Sequence, residues 1–309
     1  MRAEDKIVSL LENAKDRGEL QGHIARKLNL SKSTVSEILS LLEEKREIVR
    51  LEISPKSYRV WLTKYCPQPV EGVLRIGILK ASEYARVVSA GEKVGAIFRV
   101  YRNGIEATKD LVHGVVDVVA SPFITQAFFG VLMKNIMIFR AVAMNGSGVA
   151  LSNGKGFGCS ELSTMERILR KFMRAKGIED RIRFFNSAEE MILELPNMRG
   201  IAVWEPYLSM ISEQVEYFDS VLGDFVCCTL AVNNEFLEKN KELFEDFLGK
   251  YDKSRTREGL ERLAELTGFS KDLIAKSLLS YNFEVSIEDL RRESEDLRFG
   301  GIEEILRFY

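Results

Sequence analysis

Four cysteines and two histidines are the residues from which this chain of 309 could build a nucleophile, a general base or a metal centre. Their spacing argues against all three. Structural zinc sites draw their thiolates from close pairs such as Cys-x-x-Cys, and no such pair occurs. Cys227 and Cys228 are adjacent, a poor geometry for a mutual disulfide, and Cys66 and Cys159 stand alone. Reduced thiols and a cytosolic setting are therefore expected. His23 and His113 lie far apart in sequence. Cys159, Glu205 and His113 are the obvious candidates for acid–base or nucleophilic work, and none has a partner at a recognisable spacing. The glycine-rich run from Asn145 to Gly158 lacks the spacing of a phosphate loop. The residues thus predict no catalytic group, no cofactor and no resident metal.

A second group suggests surface recognition. Arg26, Lys27, Ser31, Lys32, Ser33, Thr34, Ser36 and Lys56 place basic and hydroxyl side chains within one short stretch. The chain as a whole has 44 Lys and Arg against 46 Asp and Glu, so it is not basic throughout. Residues 1–69, however, hold 13 basic and 10 acidic side chains, and the acidic excess lies beyond them. Such a split points to nucleic acid at one end only.

The elements around these residues are readable. Ile7, Leu10, Leu11 and Ala14 recur at helical spacing, and Gly18 ends that helix. Leu20, Ile24, Ala25 and Leu28 form a second stripe, and Val35, Ile38, Leu39 and Leu42 a third. Ser31 is placed to cap the third helix. Residues 47–53 and 58–62 read as strands joined by the turn Ser54-Pro55-Lys56-Ser57. Ala25 at a helix crossing, Leu30 in the turn and the run SKSTVSEIL opening the third helix together resemble winged helix-turn-helix regulators of the MarR and ArsR type. The resemblance implies that residues 1–65 bind double-stranded DNA. The third helix would enter the major groove with Ser31, Lys32, Ser33, Thr34 and Ser36 near its start. Arg26, Lys27 and the wing-tip Lys56 would lie over phosphates. A module used only for protein contacts is the alternative.

Pro67, Pro69 and Gly72 mark residues 66–72 as a short linker. From residue 73 onward, apolar strands alternate with helices: 74–79, 97–101, 115–120, 136–142 and 201–204 read as strands, and 161–176 as a helix. This predicts an α/β fold with a mainly parallel sheet, in which ligands lie at the carboxyl ends of strands. Those ends hold Ser82-Glu83-Tyr84, Ser121-Pro122-Phe123, Cys159-Ser160 and Trp204-Glu205. Ser121 reads as a helix cap with Pro122 in the first turn, and Cys159 as lying at a helix start. The longest uncharged apolar run, residues 118–133, contains Pro122 and is too short to span a bilayer. No secretory leader is evident at residues 1–6, so a cytoplasmic protein without a membrane partner is expected.

The ordered segments GVVDVVASPFITQ, GFGCSELSTMERILRKFMRAKGI and RGIAVWEPYLSMI, with the closing KSLLSYNFEVSIEDLRRESEDLRFGGI, resemble type II periplasmic binding proteins. The branch is the one that binds alkanesulfonates, nitrate or bicarbonate, and thiamine-pyrimidine precursors. The resemblance implies two α/β lobes, the first of residues 73–145 and 229–309 and the second of 146–228. A ligand between them would touch Ser82, Glu83, Tyr84, Ser121, Phe123, Cys159, Ser160, Trp204 and Glu205. Each has a plainer reading: Trp204 as core, Ser121 and Ser160 as caps only, Cys159 as a space-filler and Glu205 in a surface ion pair. Acidic groups in the cleft would favour a ligand with an amine, such as an amino-pyrimidine, over a sulfonate or nitrate.

Together the two resemblances imply a homodimeric transcription regulator that binds DNA and responds to a small polar effector. An intracellular enzyme on the same fold, of the thiamine-pyrimidine or menaquinone pathway type, is the alternative.

Overall fold

The computed structural model describes residues 2–297 and 300–307. The closing segment of the periplasmic-binding-protein resemblance runs through Arg298 and Phe299, which lie outside the described residues.

Helix α1 (Ala3–Ala14) is followed by a short strand β1 (Glu19–Leu20), helices α2 (Gln21–Leu28) and α3 (Lys32–Glu44), and strands β2 (Ile48–Ser54) and β3 (Ser57–Leu62). The three apolar stripes meet in one small core, in which Ile7, Leu11, Ile24, Val35, Leu39 and Leu42 are fully buried. Ser31 caps α3 as expected, its hydroxyl accepting from the Thr34 amide at 3.0 Å. Strand β1 was not foreseen. It pairs antiparallel with β3 and widens the hairpin to a three-stranded sheet of order β1-β3-β2.

The linker is anchored rather than free. Arg75 is buried beside Asp117, with Nε to Oδ2 at 2.9 Å and Nη2 to Oδ1 at 2.8 Å. Its other guanidinium hydrogens go to the carbonyls of Cys66 and Gly114. Arg46 donates to the Gly72 carbonyl at 2.8 Å, and the Gly72 amide donates to Asn240 Oδ1 at 2.7 Å. The first 65 residues are thus tied on both sides of the prolines.

The next elements are β4 (Arg75–Leu79), α4 (Ala85–Lys93), β5 (Ile97–Tyr101), α5 (Gly104–Val112), β6 (Val118–Pro122), α6 (Phe123–Met133) and β7 (Ile136–Asn145). Then come β8 (Ser147–Leu151), β9 (Phe157–Ser160), α7 (Thr164–Ala175), β10 (Ile182–Phe185), α8 (Ala188–Glu194), β11 (Gly200–Trp204), β12 (Gln214–Tyr217) and α9 (Asp219–Leu222). Strand β13 (Val226–Asn233) leads into α10 (Asn234–Lys239), α11 (Lys241–Lys253), α12 (Leu260–Thr267), α13 (Lys271–Ser277), β14 (Tyr281–Asn282) and α14 (Ile287–Leu297). One sheet has the order β14-β7-β13-β6-β4-β5, the other β10-β9-β11-β8-β12. This is an α/β fold of two lobes. The chain passes from the first sheet to the second at Asn145–Gly146 and returns at Val226. Asn145 laces the crossings together, donating to Asp224 Oδ1 at 2.8 Å and exchanging backbone contact with Phe225.

Four expectations are corrected. The sheets are mixed rather than mainly parallel, because β13 enters from the second lobe and runs antiparallel between β6 and β7. The third strand extends through Pro122, so Ser121 is a strand residue and not a cap. Cys159 and Ser160 end strand β9, and α7 starts later, at Thr164. Ser163 caps it because Glu166, three residues on, reaches back to the Leu162 amide at 2.9 Å, an arrangement Ser160 lacks. After Pro206 the chain makes one 3-10 turn, Leu208–Met210, instead of a helix.

Candidate functional site

Between the lobes lies a narrow cavity of about 20 Å³, roughly the room of one water molecule. Leu79, Glu83 and Tyr84 reach it from the end of β4, and Cys227 and Cys228 from β13. Ser160, Thr164 and Trp204 face them from the second lobe. Asn103 and Gly104, at the start of α5, form part of the rim. Among these lining residues Glu83 is the one acid, and there is no Lys or Arg.

Glu83 is the centre of a buried polar cluster. The Tyr281 hydroxyl donates to its Oε2 at 2.7 Å, and Cys228 Sγ lies 3.3 Å from its Oε1. The Tyr84 hydroxyl donates to Cys228 Sγ at 3.2 Å, and Cys227 Sγ is 3.4 Å from Cys228 Sγ. Burial pushes the Glu83 carboxyl above the usual carboxylate range and the Cys228 thiol well above its ordinary value.

The lobes touch directly around the cavity. Trp204 Nε1 donates to the Lys80 carbonyl at 2.9 Å, and the Ser82 amide to the Glu205 carbonyl at 3.1 Å. Thr125 Oγ1 donates to the Leu162 carbonyl at 2.7 Å, and Asn103 Nδ2 to the Asn186 carbonyl at 3.0 Å. Lys80 and Glu189 pair at 3.0 Å, and Tyr207 donates to the same carboxylate at 2.6 Å. The lobes therefore stand closed on one another.

Of the residues expected to touch a ligand, Glu83, Tyr84, Ser160 and Trp204 line the cavity, and the others do not. Ser82 is buried against Ser277, with hydroxyls 2.6 Å apart. Ser121 lies 2.9 Å from Gln126 Nε2 and 3.1 Å from Thr108 Oγ1 inside the first lobe. Phe123 and Cys159 are core residues with no exposed surface, and burial pushes the Cys159 thiol up to about 12. Glu205 forms no surface ion pair. It accepts from the Ser209 amide and hydroxyl and from Tyr217, a structural acceptor for the turn beyond it. Cys227, Cys228, Thr164 and Asn103 were missed. The adjacent cysteines were visible, but nothing in the pattern 226–233 told that both would face the cleft.

A second concavity lies on the first 65 residues. Arg26, Lys32 and Lys56 line it together with Gln21, His23 and Tyr58. All three cations are exposed. The hydroxyls of Ser31, Ser33 and Thr34 hydrogen-bond among themselves at the start of α3, with Ser36 half-buried one turn on. Lys27 pairs with Glu19 and faces another side of the module. Glu43, on α3, is neutralised by Arg50 at 2.8 Å.

No family model matches the chain, and no curated protein matches it. Solved structures do. The ligand-binding component of an ABC-type import system from Staphylococcus aureus, with zinc bound, superposes with a TM-score of 0.62 at 16% identity, over 74% of this chain and 92% of that one. The alkanesulfonate-binding protein SsuA from Xanthomonas axonopodis pv. citri, bound to MOPS, gives 0.62 at 11% identity, over 78% and 99%. The periplasmic nitrate-binding protein NrtA from Synechocystis PCC 6803 gives 0.58 at 13%, over 70% and 72%. The chain therefore carries a periplasmic-binding-protein-like fold, the ligand-binding architecture that these proteins share. All three are described as binding components, none as an enzyme and none as binding DNA. No described helix is long and apolar enough to cross a membrane.

Proposed function

We propose that the chain is a ligand-responsive transcription regulator of the cytoplasm. Residues 1–65 are a winged helix module that binds double-stranded DNA, and residues 73–309 are the sensor. A homodimer presents two such modules to a palindromic site. The effector is a small polar metabolite held between the lobes. The observation that carries this reading is the placement of Arg26, Lys32 and Lys56 around one exposed groove at the start of α3. Three cations converging beside a helix start suit phosphate contacts and leave the hydroxyl-rich first turn for base edges. The ties from Arg75 and Arg46 to the linker join that groove to the first lobe without a flexible joint.

The cavity favours an effector with an amine, such as an amino-pyrimidine. Glu83 and the Ser160 and Thr164 hydroxyls offer it acceptors as the lobes part to admit it, and no Lys or Arg is among the residues lining the cavity to neutralise a sulfonate or nitrate. The experiment is selection of duplexes from a random-sequence pool by the full chain, followed by thermal-shift screening with amino-pyrimidines, sulfonates and nitrate. The reading expects an enriched palindrome and a shift with the amine-bearing compounds, lost in Ser160→Trp. No enrichment refutes the DNA half. A shift that survives in Ser160→Trp refutes the pocket.

A further inference from the structure

We propose that Glu83, Cys227 and Cys228 form a binding site for a thiophilic metal ion of the zinc class in the wall of the interlobe cavity. Among the described residues they are the one group of three such donors close enough to share an ion, with their ligand atoms all within 4.8 Å of one another. Tetrahedral zinc with bonds near 2.3 Å to sulfur holds two sulfurs about 3.8 Å apart. Here the sulfurs stand 3.4 Å apart and Cys228 Sγ stands 3.3 Å from Glu83 Oε1. These two separations lie within a few tenths of an ångström of what a shared ion requires, and side-chain torsions would bring Cys227 and Glu83, which lie within 4.8 Å of one another, onto the same ion.

The backbone explains how neighbours in a strand can share a ligand. In a regular strand consecutive side chains point to opposite faces, so adjacent cysteines could not meet one ion. Strand β13 is irregular there. Its register against β7 shifts on both sides of Cys228, between Val226 and Cys228 and again between Cys228 and Thr229. Such bulges re-aim side chains, and this one turns both thiols toward the end of β4, where Glu83 lies.

The surroundings suit an anionic ligand set. Tyr84 donates to the Cys228 sulfur and Tyr281 to the Glu83 carboxylate, the outer partners that orient and stabilise metal ligands. Two sulfurs select zinc-class ions over magnesium or calcium. Three protein donors leave a fourth position toward the cavity, for water or for a donor atom of a cavity ligand. Binding displaces the two thiol protons and any proton on the carboxyl to solvent, so affinity rises with pH. All three ligands lie on the first lobe, because β13 rejoins the first sheet at Val226, three residues before the boundary expected from the sequence at 228/229. The ion therefore loads when the lobes part, and Ser160, Thr164 and Trp204 then cover it. Nothing in this proposal depends on the identity of the organic effector or on DNA.

The test uses the full-length protein, reduced and stripped with a chelator, titrated first with Co²⁺ and then with Zn²⁺, with no organic ligand or DNA present. One equivalent of Co²⁺ is expected to give an intense near-ultraviolet thiolate-to-metal band, which Zn²⁺ displaces. Cys227→Ser and Cys228→Ser are each expected to weaken the band and to lower zinc affinity at least about 10-fold, the least that even an outer-partner loss costs. Glu83→Gln keeps the thiolate band but lowers affinity, and Cys159→Ser changes neither. Circular dichroism confirms that each variant is folded, and Cys227→Ala replaces any that is not. Absence of a thiolate band at one equivalent in the wild type overturns the proposal, as does an undiminished band in both cysteine variants. Because the readout is spectroscopic, failure here leaves the metabolite and DNA readings standing, and their failure leaves this one standing.

Discussion

Replacing Arg75 with methionine removes the guanidinium that joins three parts of the chain: Asp117 just before β6, the Gly114 carbonyl before it, and the Cys66 carbonyl in the linker. Methionine fills much of the space but restores none of the hydrogen bonds. Asp117, with no exposed surface, keeps the Arg75 amide at 2.8 Å but loses its counter-charge. Removing one partner of a buried pair costs about 3–5 kcal/mol, because the remaining charge is left uncompensated. The assay is urea denaturation of Arg75→Met, Asp117→Leu and the double variant. Each single variant is expected to lose roughly 3 kcal/mol or more, and the double variant to lose less than the sum of the two, since it leaves no lone charge. The same substitution frees the linker at Cys66. The single variant should therefore still bind duplex and ligand, while the effect of one on the other falls. A loss under about 1 kcal/mol in the single variant, a value typical of exposed pairs, would refute the reasoning.

Other outcomes are expected from the same contacts. Lys32→Glu with Lys56→Glu should eliminate duplex binding by the full chain while leaving its melting midpoint unchanged, because both side chains are exposed; undiminished binding in a mobility-shift assay would exclude this groove as the DNA surface. Gly146→Ala should lower stability by about 1–3 kcal/mol in urea denaturation, since Gly146 has a φ of +72° and a methyl there would overlap the Tyr281 ring. Glu189 supplies a pH test. Burial alone would raise its carboxyl, but Tyr207, its own amide and Lys80 hold it below the usual value. A lowered folded-state value stabilises above the unfolded value, near 4.5, and the gain is lost as pH falls through the folded value. The wild type should therefore exceed Glu189→Gln in melting midpoint at pH 7 by the modest amount an exposed pair supplies, and the gap should close in acid. A gap that does not change with pH would contradict the assignment.

Much of the fold can be read from local pattern, and the exceptions have physical causes. The stripes of α1, α2 and α3 and the cap at Ser31 are written in residues three and four apart, and they fold as read. Strands β4 and β5 are short, mostly apolar runs, each with one arginine, and are equally plain. Strand β1 is two residues long and can carry no alternation. The direction of β13 depends on a chain that leaves for the second lobe and comes back, which no local window contains. Glu83, Tyr84, Ser160 and Trp204 line the cavity and were legible because they lie at or just after the ends of strands. Ser121 and Cys159 stand there too, but they point into the core. Cys227 and Cys228 escaped because a bulge, set by pairing with a distant strand, decides which way both thiols point. Glu205 was misjudged because its partners, Ser209, Tyr217 and Ser280, come together only in the folded lobes.

The central claim is that the separation of the lobes governs the grip of the first 65 residues on DNA. It can be tested without knowing the effector, by locking the lobes shut. Asn103 Nδ2 donates to the Asn186 carbonyl across the opening at 3.0 Å, so the segments around these two residues are where a cysteine pair with Cα atoms about 4.4–6.8 Å apart would lock the lobes by a disulfide. The measurement is the affinity of the full chain for its selected duplex, oxidised and then reduced, at one salt concentration. The account predicts a change of about 5-fold or more between the two states, the scale on which coupled sites act. Equal affinity in the locked and released protein, with the disulfide verified by mass, would contradict it.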